Sequence, residues 1–183
     1  MSDYTSFRFK GLVKEEYRSS IQELLETKSW GSCNDSLFKS FSKVSRSDMI
    51  PFSFNTIELP DEWMNKIKDS KGEVSYEATD NFGLYFKSET GFWCFECALV
   101  NYDSTIEEFL YQVVQKICSD LFHCEVLLPY YASSAFYELR DDKVYHAGFG
   151  IKYKEPDYPF LGIVPSKDIE YKDFDFSKGE NYR

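Results

Sequence analysis

An α+β fold, an antiparallel sheet with helices packed on one face, is what this sequence predicts, and three observations predict it. Strand-period stretches come in adjacent pairs, first around residues 82–99 and again around residues 135–153. An amphipathic helical stretch follows the first pair and leads into another extended run. The resulting order, strand, helix, strand, strand, helix, strand, is that of a split βαβ, ferredoxin-like sandwich, to which a C-terminal hairpin is added. An unrelated α+β sheet of five or six strands would share the class.

The first strand is carried by Phe7, Phe9 and Val13, which alternate with Arg8 and Lys10. Lys14-Glu15-Glu16 then opens a helix with Tyr17, Ile21, Leu24 and Leu25 on one face, and Trp30-Gly31 is expected to end it. Residues 31–80 read as an insertion. Leu37, Phe38, Phe41 and Val44 predict a short helix, Met49 to Phe54 an apolar extended piece, and Pro60-Asp61-Glu62 before Trp63 and Ile67 a further helix with proline in its first turn. The polar run Asp69 to Glu73 reads as an exposed loop.

Phe82, Leu84 and Phe86 alternate with Gly83, Tyr85 and Lys87, Ser88 to Gly91 makes a turn, and Trp93, Phe95, Cys97 and Leu99 return. The side bearing Glu96 is expected to be the outer face of this hairpin. Ser104-Thr105-Ile106-Glu107 has the hydroxyl-to-carboxylate spacing of a capping box. Ile106, Phe109, Leu110, Val113, Val114, Ile117 and Leu121 then form one helical stripe. Arg140-Asp141-Asp142-Lys143 is the turn of the second hairpin, between Ala135–Leu139 and Val144–Tyr153. Residues 1–154 form one domain, and residues 155–183 a tail, interrupted by Pro156, Pro159 and Pro165, in which acids alternate with aromatics and which is expected to be partly mobile.

At 183 residues and 43% hydrophobic the chain is large enough to bury its own core. Its net charge of −10 disfavours phosphate backbones and anionic membranes and favours a partner with a basic surface. No segment has the apolar length of a secretion signal or a membrane span, and five irregularly spaced cysteines fit a reducing compartment, so the expected location is cytoplasmic. Oligomeric state is not legible from these features.

No stretch spells out a catalytic site, and no cofactor or metal is expected. Cys94 and Cys97 form a CxxC with Cys118, His123 and Cys124 downstream, but in a strand residues three apart point to opposite faces, so small buried thiols are expected instead. His123 is expected near a helix C-terminus, and His146 opposite Glu138. Gly148-Phe149-Gly150 reads as kinks in a strand that permit a bulge. Tyr130, Tyr131, Tyr137, Tyr145 and His146 could line a groove for a partner or small ligand, because tyrosine offers an apolar face and a hydroxyl. Tyr171, Asp173, Phe174, Asp175 and Phe176 of the tail join carboxylates, which steer, to rings, which anchor. Acidity and an aromatic fraction of 19% together point to a small binding protein that inhibits or neutralises another protein, of the toxin-immunity or phage anti-defence type. A ligand-binding protein or enzyme with a tyrosine-lined groove, and an oligomeric structural component, are the alternatives.

Overall fold

The computed structural model describes residues 4–53, 82–101, 103–128, 133–149 and 180–181. In it β1 (Thr5–Val13) is inserted between β3 (Phe92–Leu99) and β4 (Cys118–Leu128), antiparallel to both. With β2 (Tyr85–Lys87), β5 (Ser133–Arg140), β6 (Lys143–Phe149) and the two-residue β7 (Glu180–Asn181), the described residues form a seven-stranded antiparallel sheet in the order β2-β3-β1-β4-β5-β6-β7. The α+β class is therefore as expected. Each helix-bearing connection, β1 to β2 and β3 to β4, skips one strand of the sheet. Three strands continue the sheet beyond β4.

Among the described residues the longer helices are α1 (Arg18–Thr27), α2 (Ser36–Phe41) and α3, whose start Thr105–Phe109 passes into a π-helical turn Leu110–Val114 and a last stretch Gln115–Ile117. All three share one core with a single face of the sheet: Phe7 and Phe9 from β1, Trp93, Phe95 and Cys97 from β3, Ile21 and Leu24 from α1, Phe38 and Phe41 from α2, Phe109 and Val113 from α3. Phe109 is central, with its ring centroid 5.8 Å from Phe7, 6.2 Å from Phe9 and 5.8 Å from Trp30. Burying side chains of this size is worth roughly 1.5–3 kcal/mol each before conformational entropy is subtracted.

Several boundaries differ from the sequence expectation. Helix α1 ends at Lys28, not at Trp30-Gly31: Lys28 takes a left-handed conformation (φ 55°) and its N–H donates to Leu24 O at 2.8 Å. Trp30 instead enters the core, its backbone N–H bonded to Asp48 Oδ1 (2.9 Å) and its indole Nε1 to Ile50 O (2.7 Å). The stretch around Met49 is a 3₁₀ turn (Ser47–Met49) followed by an irregular turn through a cis Ile50-Pro51 bond, not a strand, and Ser53 bonds Ala98 of β3 through both its carbonyl and its hydroxyl. Residues 31–53 thus contribute Cys33, Phe38, Phe41 and Ile50 to the core. The helix expected after Pro60 and the loop at Asp69 to Glu73 lie outside the described residues.

Ser104 is not the cap of α3. It is left-handed (φ 56°) with no side-chain cap bond; Asn101 caps instead, Oδ1 accepting from Ile106 N (2.9 Å) and Nδ2 donating to Glu107 Oε2 (2.9 Å). The helix also stops before Leu121. Lys14 N–H takes Ile117 O at 2.7 Å, Cys118 turns extended, and β1 claims the rest as β4, so pairing with a central strand overrides the continuing helical period. The second hairpin does turn at Asp141-Asp142, both with positive φ (50° and 58°), the signature of a type I′ turn that matches strand twist.

Candidate functional site

The other face of the sheet was expected to be solvated and is not. Side chains of β1 alternate, so Ser6, Arg8 and Lys10 point away from the helices while Phe7 and Phe9 point towards them. Pairing then sets Arg8 between Glu96 of β3 and Glu125 of β4, and Lys10 between Cys94 of β3 and His123 of β4. Two rows result, Glu96–Arg8–Glu125 and Cys94–Lys10–His123. They are interior: Arg8, Lys10 and Glu125 are each 1% exposed, Glu96 6% and His123 7%. The expectation that Glu96 marks an outer face is corrected accordingly.

Glu96 Oε1 accepts from Arg8 Nε (3.2 Å) and from Ser6 Oγ (3.3 Å). On the other side, Arg8 Nη1 lies 3.7 Å from Glu125 Oε1, and the same oxygen is 2.9 Å from His123 Nε2. Phe82 departs from the alternation expected of it: Leu84 and Phe86 pack on the helix-side core, whereas Phe82 covers the ionic rows. Its ring centroid is 4.1 Å from Lys10 Nζ, 5.1 Å from Arg8 Cζ and 4.7 Å from the centroid of His123, to which it is inclined at 60°. A ring face offers two desolvated cations the negative part of its quadrupole.

Burial sets the titration of this group. It pushes the Glu96 carboxyl up to about 7, with Glu125 adding to the rise and Arg8 and Ser6 opposing it. It lowers His123, reinforced by Lys10 and Arg8 and opposed by Glu125, whose Oε1 lies 2.9 Å from Nε2, so the ring is held towards its neutral form. Cys94 is pushed up to about 12 by burial, which Lys10 only partly offsets, so the thiol next to Lys10 is not an activated nucleophile. The arrangement holds protons and balances charge inside the protein.

The expected site residues are divided by the structure. Tyr137 is a core residue at 6% exposure and lies across from His146, ring centroids 5.5 Å apart. Tyr145 is adjacent to His146 in β6 and so points to the opposite face, where Arg140 lies over it at 4.3 Å. His146 therefore faces Tyr137, and Glu138 faces Tyr145, because the two-residue Asp141-Asp142 turn sets Arg140 opposite Lys143 and the register runs unbroken from there; the bulge comes only beyond Tyr137, before the Phe136–Gly148 pair. A groove that includes both Tyr145 and His146 is not what β6 presents. Tyr130, Tyr131, Tyr171, Asp173, Phe174, Asp175 and Phe176 lie outside the described residues. His123 is in mid-strand, not at a helix end. Cys94 and Cys97 face opposite sides, Cys97 with the helices and Cys94 with Phe82.

Arg8, Lys10, Glu96, His123 and Glu125 were the residues that pattern-reading by single strands missed. The available signal was one of complementarity: Arg8 and Lys10 occupy alternate positions of one strand, while Glu96 and Glu125 each stand at such a position of two others, a charge pattern that suits cross-strand partners. No family model, no curated protein and no solved structure matches this chain.

Proposed function

We propose that the chain is a small acidic binding protein that inhibits or neutralises another protein, of the toxin-immunity or phage anti-defence kind, and that its partner presents a basic surface. The observation that carries this reading is charge and its placement. The net charge is −10, and where β1 leaves the sheet Glu15, Glu16 and Asp120 stand exposed near the Asp141-Asp142 turn, which the Lys14–Asp142 pair (3.2 Å) brings alongside. Lys116 and Lys143 are exposed in the same stretches, so the acidity there is a local excess and not a single-sign field. Carboxylates so placed steer a basic protein towards the surface and suppress acidic competitors.

Five free thiols, all buried, agree with a reducing cytoplasm as the place of action. Among the described residues no helix is long and apolar enough to cross a membrane. The test is capture by the immobilised full chain from the native host, followed by isolation of the complex and measurement of its mass. A stoichiometric complex with one basic protein, whose activity is lost on binding, is the expected result. Recovery of no stoichiometric protein partner would overturn the proposal.

A further inference from the structure

One oxygen of the buried ionic row is treated unlike the other. Glu96 Oε1 accepts from both Arg8 Nε and Ser6 Oγ, whereas Oε2 is buried with no hydrogen-bond partner, as are Nη1 and Nη2 of Arg8, which do not reach it. The guanidinium is shared: Arg8 also serves Glu125, which in turn holds His123. A carboxylate with one unsatisfied buried oxygen and a second carboxylate competing for its cation is costly to keep ionised.

We propose that Glu96 is a proton-holding site built into the fold, its buried and otherwise unpartnered Oε2 carrying the proton, and that losing this proton to solvent loosens the hold of β1 on β3. The groups facing it define the balance. From β1 these are Arg8, Ser6 and Lys10, from β4 Glu125 and His123, and on β3 itself Cys94, with the Phe82 ring laid over both cations. Protonated, the row holds one positive and one negative charge in direct apposition, Arg8 and Glu125. Ionised, it sets two carboxylates against one guanidinium, with the Lys10 ammonium one row away, and leaves the charged Oε2 buried without a hydrogen bond, a cost relieved most readily by admitting water between β3 and β1.

The sign follows from linkage. Glu96 binds its proton more tightly in the folded chain, near pH 7, than in the unfolded chain, near pH 4.5, so its contribution is fully present below pH 4.5 and is lost as pH rises through about 7. His123 acts oppositely, its contribution being present above pH 6.5 and lost on acidification. The two slopes overlap, so the wild-type profile alone does not separate them, and a variant does.

The experiment compares chemical unfolding of the wild-type full chain with Glu96→Gln between pH 5 and pH 8. Glutamine keeps the shape and a neutral head group, so the stability of the variant relative to wild type should rise steadily with pH, with a slope of about one proton near pH 6. A difference independent of pH would overturn the proposal. Should the variant fail to fold, the carboxyl carbon resonance of Glu96, followed by NMR in the unmodified chain, gives the same answer: a midpoint near 7 supports the proposal and a midpoint in the ordinary glutamate range refutes it.

Discussion

At the residue scale the decisive side chain is Arg8. Its guanidinium bridges both carboxylates of its row, Nε 3.2 Å from Glu96 Oε1 and Nη1 3.7 Å from Glu125 Oε1, so its removal takes a cation from each of them at once. Arg8→Met is therefore expected to destabilise the chain by about 3–5 kcal/mol at pH 7, the usual cost of breaking a buried pair from one side. The loss should be smaller at pH 5, where Glu96 holds a proton. Urea unfolding at the two pH values checks both statements. His123→Phe gives a complementary expectation: the wild type loses stability as pH falls below 6.5 because a buried neutral imidazole must charge, and the phenylalanine variant should lack that component of the slope. The identities of these residues were plain in the sequence, but their burial was not. Arg8 and Lys10 alternate with Phe7 and Phe9 as they would on a solvated strand, and only the neighbours that β1 acquires from residues about 90 and 115 positions away turn that face into an interior.

At the element scale the sequence was most informative where local chemistry decides. The Asp141-Asp142 turn, the hairpin of β2 and β3, and the first strand were all legible, because turn residues and a period of two act over a few positions. It was least informative where two local solutions compete. Ser104 and Glu107 have capping-box spacing, yet Asn101 reaches the helix start first. Asn101→Ala is thus expected to cost about 1 kcal/mol, whereas Ser104→Gly should leave stability unchanged or raise it, since a left-handed φ of 56° favours glycine. Thermal melts of the two variants rank them. Replacing Asp141-Asp142 by Asn-Gly, the preferred pair for a type I′ turn, should raise the melting temperature. The end of α3 was not legible for a different reason: Leu121 continues the helical stripe in sequence, but the π-helical turn at Leu110–Val114 shifts the helix face and β1 offers Cys118 and its successors a ladder.

At the scale of the whole molecule the class was readable and the sidedness was not. Single-strand periodicity reports that a face is apolar, and so it found the side that packs on the helices; it cannot report that the opposite, charged face is also closed. Side-chain chemistry alone groups Tyr145 with His146, its neighbour in sequence, whereas a strand sends the two to opposite faces. Among the described residues Glu15, Glu16 and Asp120 stand exposed outside this buried cluster, and it is there that recognition of a basic protein is proposed. The measurement closest to that proposal is the association rate of the chain with its captured partner, determined at low and at high salt for the wild type and for Glu15→Lys/Glu16→Lys. Acidic steering predicts a wild-type rate that falls steeply with salt, and a double variant that is slower at low salt and converges on the wild type at high salt. A rate insensitive to both salt and charge reversal would contradict it.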